Sequence, residues 1–463
     1  MENKIRDVVI IGGGPAGSTM ASLLAREGHD VVVFEREKFP REHVGESLLP
    51  FCYNLFEDLG VLDTMKKRYV RKPGVQFISP TGESRTTYCF GHVIKDESHL
   101  SFHVIRADFD DLLLKNSRRL GADVQEETRV TDVDLDQADG LARITIRTKE
   151  GNEEQIVAKQ LIDASGQMTF LARKMDCKKA FDNLDRIAFA THWMVDEMPA
   201  GLDEGILKIV YLGGNKMGWI FVIPVGINRI SIGVVVNNSY MKEEKQKLMD
   251  AGEKDWQQAF YLNEIKSSPY VHEIIQKARQ RQKVLVNGDY SYYSEKKFGH
   301  NYVITGDASA FLDPIFASGV YLCMKSSYLL ANAVDKKLKS GNLRDNTPLE
   351  EAYSTIKGAY DLVGKFIYFF YNPDAFSLAE VGDKELNNHL QHDTAFSLVH
   401  YLLAGDFFEN HRKYDAFIEL LTDPKQYEKY KHLVIDQIDH SIPTCNADRN
   451  EVFSKFMEEI NTM

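Results

Sequence analysis

Cysteine is scarce in this 463-residue chain: Cys52, Cys89, Cys177, Cys323 and Cys445, an odd number with no Cys-x-x-Cys pair and no cysteine–histidine spacing. That scatter supports neither a structural metal nor a disulfide framework, and it fits a reducing compartment. Long apolar runs are also missing, and none approaches the ~20 residues of a bilayer span. Met1 to Asp7 is of mixed charge, and Val8–Ile11 runs into glycines rather than a cleavage site, so no leader is expected. Basic excess is absent as well. Lys and Arg number 56 against 68 Asp and Glu, a net charge of -12, and positive stretches such as Lys66-Lys67-Arg68 are short. Neither nucleic acid nor an anionic membrane is expected as a partner. No repeat, low-complexity tract or Pro/Ser-rich linker divides the chain. A cytoplasmic protein without a membrane span is expected, and 43% hydrophobic residues over this length suit a large core with two or three lobes.

The most informative stretch is Asp7-Val8-Val9-Ile10-Ile11-Gly12-Gly13-Gly14-Pro15-Ala16-Gly17, followed by Val31-Val32-Val33-Phe34-Glu35-Arg36. An apolar strand leads into Gly12-x-Gly14-x-x-Gly17, a helix carries Met20, Leu23 and Leu24, and a second strand ends in an acid. Gly12 permits the tight turn, Gly14 lets a pyrophosphate approach the backbone, and Gly17 lets the helix pack on the sheet. The free N–H groups of the helix that starts at Pro15-Ala16-Gly17, and its positive dipole end, then hold the phosphates. Glu35, eighteen residues after Gly17, sits where a carboxylate accepts from a ribose diol. The combination predicts dinucleotide binding.

Similar signals recur along the chain. They return at Val104 to Asp110 with a helix through Arg118, and at the strand Arg129 to Leu135, which includes Val130. Further instances are Gln160 to Gly166 and Tyr302 to Ala308. Between them, strand-like alternation runs through Ile206–Tyr211, Trp219–Pro224 and Arg229–Val236, with Ile230, Ile232, Val234 and Val236 on one face. The pattern predicts a discontinuous cofactor domain (1–75, 100–180 and 285–335) interleaved with a β-rich substrate domain (76–99 and 181–284). A helical C-terminal region is expected over 336–463. The aromatic run Phe366 to Tyr371 reads as buried helix, with a tunnel wall or docking surface as minor alternatives.

Across roughly residues 5–335 the chain resembles the FAD-dependent oxidoreductases of the aromatic-hydroxylase and glutathione-reductase-like superfamily. The resemblance implies an α/β fold: a glutathione-reductase-like FAD-binding Rossmann domain interleaved with a β-sheet substrate domain, plus the helical C-terminal region. It also implies that Arg106 contacts the flavin nucleotide. The strand end Asp163-Ala164-Ser165-Gly166 would touch the cofactor, and Gly306-Asp307 would hold the ribityl chain. Read alone, Asp307 is a helix cap before Ala308-Ser309.

Three further stretches resemble the flavin-dependent halogenases, especially those acting on phenols or carrier-bound substrates. These are Phe39 to Pro50 (FPREHVGESLLP), which contains Arg41 and Ser47; Asp289-Tyr290-Ser291-Tyr292; and Asp313 to Val320 (DPIFASGV). In such enzymes helix N-terminal N–H groups near Ser318, Gly319 and Val320 would face flavin and halide. Lys72, in Val70-Arg71-Lys72-Pro73-Gly74, resembles the lysine that delivers halogen at the far end of a tunnel. Read alone, a lysine beside Arg71 is a solvated charge. The resemblance implies FAD reduced by a separate flavin reductase, with a halide ion as co-substrate. Hypohalous acid formed at the flavin would halogenate an electron-rich aromatic, a phenol or pyrrole, free or tethered to an acyl or peptidyl carrier protein.

The chain departs from that pattern at Trp219-Ile220-Phe221-Val222-Ile223-Pro224, where Phe221 replaces a second indole. It lacks the acid that tryptophan-specific relatives carry near Ser318, and Gln76 to Pro80 lacks the aromatic cluster of many halogenase relatives. A monooxygenase or a geranylgeranyl-reductase-like oxidoreductase is the alternative. A non-catalytic flavin-binding interaction protein is a third. Trp219, Phe221, Ser318 and Lys72 are the candidate catalytic residues, and no metal is expected.

Overall fold

The computed structural model describes residues 5–288, 291–372, 375, 377–379, 395–412, 414–415, 418, 445 and 452. Two large sheets organise it. The first runs in the order Asp123–Gln125, Val31–Phe34, Ile5–Ile11, Glu153–Asp163, Ala142–Arg147, Arg129–Asp134, and Tyr302–Ile304 also pairs with Glu153–Asp163. The strands around Ile5–Ile11 are parallel. Parallel strands are covered on both faces, so Val8 to Ile11 and Val31 to Phe34 are unbroken apolar runs, all buried. The helix Pro15–Arg26 packs against the helix Gly319–Ser340 over this sheet. Met20, Leu23 and Leu24 join Val8, Ile10, Leu330 and Val334 in one core.

The second sheet runs Ala278–Gln280, Arg186–Val195, Arg229–Asn237, Gly218–Gly226, Leu207–Leu212, Gly74–Ile78, Arg85–Cys89. Strand Leu285–Asn287, at the start of the third expected cofactor segment, pairs here with Arg186–Val195. Ile230, Ile232, Val234 and Val236 pack into a separate core on one face, while Val235 faces the main core. Both faces are covered, which is why the alternation in that stretch is weak. Val70–Lys72 and Ser101–His103 form their own two-stranded ribbon.

From residue 319 the described elements are helical: Gly319–Ser340, Thr347–Tyr371 and Ala395–Ala404. The aromatic run ends the second of these, with Phe366, Ile367 and Phe369 buried. Asp289 and Tyr290, and most of the chain beyond 380, lie outside the described residues. No helix among the described residues is long and apolar enough to cross a membrane.

The expectation drawn from the cysteines needs correction. Cys89 and Cys445 form a disulfide across 356 residues, with Cα atoms 5.4 Å apart, while Cys52, Cys177 and Cys323 are free and buried. Cysteine spacing reveals only motifs that are close in sequence, and this pair is brought together by tertiary packing.

Candidate functional site

A cavity of about 680 Å³ opens at the strand-to-helix turn after Ile11 and reaches the second sheet. Gly12 (φ +97°) and Gly17 build the turn, since a Cβ at Gly17 would lie 1.9 Å from the Gly12 carbonyl oxygen. The helix Pro15–Arg26 starts at Gly14 with no capping side chain. Its first-turn N–H groups are left for a ligand. Gly14, Pro15 and Ala16 line the cavity, and a Cβ on Gly14 would meet only the Arg41 guanidinium, at 3.5 Å.

Buried Glu35 accepts the Gly13 N–H at 2.7 Å through Oε2 and the Glu37 N–H at 2.8 Å through Oε1. Each oxygen keeps a further lone pair, and both Glu35 and Arg36 line the cavity. Arg41 and Arg106 share the buried Asp110: Arg106 binds it bidentately at 2.8 and 2.9 Å, Arg41 at 3.1 Å. These cations hold the Asp110 carboxyl below its ordinary range against the opposing effect of burial. Arg41 also pairs with Glu37 at 3.7 Å, so the two guanidiniums stand beside the glycine turn between two carboxylates. Asp307 reaches the same cavity, and burial pushes its carboxyl up to about 7, with Arg106 pulling the other way. Gly306 (φ +57°) lies beneath it, where a Cβ would come within 2.8 Å of the Ala16 side chain.

The loop Asp313 to Val320 closes the far side. Asp313 caps it by accepting the Ile315 N–H at 3.1 Å, Ala317 is left-handed (φ 52°), and Gly319 and Val320 line the cavity. Ser318 is buried at the N-cap of the following helix without capping it. Trp219 and Phe221 form the opposite wall with ring centroids 5.8 Å apart. Gly233 makes room for Phe221, whose ring would lie 2.0 Å from a Cβ there. Ser47 also lines the cavity.

Other expected site residues lie behind the wall. Gly17 and Gly306 support the turns. Asp163 is buried and accepts the Ser165 and Leu171 N–H groups at 3.0 and 2.7 Å, shaping the loop whose Ala164, Ser165 and Gly166 line the cavity. Val130 packs in the core with Val9 and Val32.

Lys72 is separate from this cavity. It is 1% exposed, donates to the Leu48 carbonyl at 3.0 Å, and lies 5.3 Å from the Phe90 ring centre. Burial lowers its amine to about 7. It pairs with Ser101 in the ribbon, and Ser47 bridges His103 on the next strand. Ser47 Oγ, Ser101 Oγ and His103 Nδ1 are buried without hydrogen-bond partners. Ser47, which lines the cavity, is thus linked through the His103 strand to the strand that carries Lys72.

The low amine affinity has a stability consequence. The unfolded chain binds more protons than the folded one between pH 7 and the ordinary lysine value of 10.5, so Lys72 costs stability below that window and the cost fades as pH rises through it. Lys72→Met is expected to stabilise the protein by up to about 5 kcal/mol at pH 7. The gain should shrink toward pH 10 in denaturant titrations.

Sequence inspection missed the scaffold behind these residues. Trp219 donates its indole N–H to the Tyr371 hydroxyl at 2.9 Å, and Tyr371 donates to Asp313 at 3.0 Å. The Arg186 guanidinium sits 4.2 Å over the Tyr371 ring, and burial pushes Asp313 up to about 6. The aromatic run ending at Tyr371 was the available signal.

Residues 6–344 match the FAD binding domain family. The chain belongs to that family. Its cofactor is FAD, and the uncapped helix start, the glycine cradle and the Arg41–Asp110–Arg106 cluster fit such a ligand. The chain is 32% identical over 333 residues to a tryptophan 2-halogenase from Chondromyces crocatus, covering 71% of this chain and 60% of that protein. It thus spans less than two thirds of that relative's length. Identity to a 1H-pyrrole-2-carbonyl–(peptidyl-carrier protein) chlorinase from Pseudomonas fluorescens is 29%, covering 73% of this chain and 77% of that enzyme. The solved flavin-dependent brominase Bmp2 superposes with a TM-score of 0.73 at 26% identity, covering 92% of this chain and all of that one.

Proposed function

We propose that this protein is an FAD-dependent halogenase acting on an electron-rich aromatic, a phenol or a pyrrole, including one tethered to a carrier protein. The observation that supports this reading is Lys72: a fully buried amine, lowered to about 7 by burial, on a strand paired with Ser101 and His103, with Ser47 bridging His103 and lining the FAD cavity. Bound FAD, once reduced, supplies with O2 the oxidation of halide to hypohalous acid. Gly12, Gly14 and the helix start at Pro15–Gly17 hold the pyrophosphate together with Arg41 and Arg106. Glu35 takes the ribose and Asp307 the ribityl chain. Arg36, Ser47, Val130, Asp163, Gly306 and Val320 shape the cofactor site.

The halide sits against the N–H groups at Ser318 and Gly319. Trp219 and Phe221 wall that space against an aromatic substrate. Ser47, Ser101 and His103 offer hydrogen bonds to hypohalous acid on its way to Lys72. The neutral amine then captures the halogen: an N–halogen bond forms, the halogen–oxygen bond breaks, and the amine proton leaves with the hydroxide as water. Transfer to the aromatic carbon returns the ring proton to the amine. A buried amine near pH 7 is basic enough to take that proton and free often enough to attack. A separate flavin reductase supplies reduced FAD.

The test supplies reduced FAD, O2 and bromide with two probes, free phenol and a carrier-bound pyrrole-2-carbonyl group. Mass spectrometry should show a bromide-dependent isotopic doublet on one of them. Oxygenated product without bromine would favour the monooxygenase.

A further inference from the structure

Glu46 lines the FAD cavity from the loop before Ser47, and it is 5% exposed. Its carboxylate is gripped from behind by the second sheet. His192 Nε2 lies 2.9 Å from Oε1 and 3.0 Å from Oε2. On the other side of the imidazole, Arg229 places Nε 3.1 Å from Nδ1, and a second guanidinium N–H also reaches that nitrogen. All three side chains are buried.

The donor inventory fixes the protons. A guanidinium has only N–H donors, so Nδ1 must be the ring's lone pair and Nε2 must carry the hydrogen. A proton on Nδ1 would face the Arg229 donors head-on. His192 is therefore held neutral and donates to an ionised Glu46. Because Nδ1 is blocked, the imidazole cannot pass protons through the sheet.

Resting on the FAD reading of the cavity, we infer that Glu46 is a cofactor-contacting acceptor for FAD's N–H or O–H groups, with His192 and Arg229 as its positioning residues. The arrangement suits this role because one N–H bridges both carboxylate oxygens and leaves their remaining lone pairs available to the cavity. It also ties the cofactor loop to the strands Arg186–Val195 and Arg229–Asn237, so cofactor binding and the position of the second sheet are linked. Burial lowers Arg229; Arg281, whose backbone N–H donates to the His192 carbonyl, adds to that, while Glu46 and Glu42 act with the opposite sign. Ser231 lies opposite His192 in the sheet and carries no charge.

The test has two readouts, neither of them turnover. With ring-15N histidine, and His192 assigned by its loss in His192→Gln, the wild type should show a single neutral tautomer with the hydrogen on Nε2. Arg229→Met, which removes the donors aimed at Nδ1, should admit a hydrogen on Nδ1 as well. Arg229→Lys, which keeps a donor-only cation, should restore the single Nε2–H tautomer. Separately, Glu46→Gln should weaken FAD binding about tenfold at pH 7.5, the loss of one charge-assisted hydrogen bond. A wild-type His192 that carries a hydrogen on Nδ1 as in Arg229→Met, or a Glu46→Gln affinity equal to wild type, overturns the inference. If Arg229→Met does not fold, the wild-type and Arg229→Lys spectra and the Glu46→Gln affinity decide. Wild-type protein that binds no FAD would overturn the cofactor reading instead, and the ring spectra, which need no FAD, tell the two failures apart.

Discussion

Lys72→Ala is expected to abolish halogenation of an aromatic probe, by a factor of at least 10³, while FAD affinity stays within about twofold of wild type. The amine does not line the FAD cavity and makes a single hydrogen bond, to the Leu48 carbonyl, so its removal leaves the cofactor wall intact. What it removes is a fully buried amine on the strand that pairs with Ser101 and His103. Loss of a group acting as both nucleophile and proton acceptor falls in the range of covalent-catalysis knockouts. Hypohalous acid should still form and escape, so a diffusible enol trap added to Lys72→Ala should be halogenated even though the aromatic probe is not. A variant that still halogenates the probe at a tenth of the wild-type rate would remove Lys72 from the delivery step.

The second large effect separates two glycines that look equivalent in the fingerprint. Gly14→Ala is expected to leave stability within about 0.5 kcal/mol, because φ is -67° and the new methyl meets only the tip of Arg41. The methyl projects into the cradle, so FAD affinity should fall at least tenfold. Gly17→Ala should instead cost about 2–4 kcal/mol, since its methyl would lie 1.9 Å from the Gly12 carbonyl and the helix must lift off the sheet. FAD affinity should fall with it, because the first-turn N–H groups move too. Thermal melts of the apoproteins and flavin-fluorescence titrations check the pair. Equal destabilisation by both substitutions would contradict the assigned geometry.

The FAD half of the site was legible because it is built from local signals. Gly12, Gly14, Gly17 and Glu35 fall within one strand–turn–helix–strand unit, where spacing in sequence fixes spacing in the fold. The second sheet was legible as strands but not as a covered layer. Helices Asn238–Asp250 and Trp256–Ser267 bury Ile230 and Ile232 from one side while the main core takes Val235, so the period-two signal faded.

The supporting side chains were illegible for a different reason. Trp219, Tyr371 and Asp313 meet across 152 and 58 residues, and Glu46 meets His192 across 146. Nothing in local periodicity marks which polar residue will be buried, or beside what. Cys445 is the extreme case: its partner is 356 residues away, and only the fold brings the two together. Lys72 stood in between. Its neighbours suggested a solvated charge, and the family resemblance alone argued for a role in halogen delivery.

The most direct test of the halogenase account needs no organic substrate. FAD-loaded protein is reduced without oxygen and mixed with oxygenated buffer at increasing bromide, and the return of oxidised-flavin absorbance is followed. The account predicts a return that accelerates with bromide and saturates as the site near Ser318 and Gly319 fills. A rate indifferent to bromide and chloride alike would contradict it.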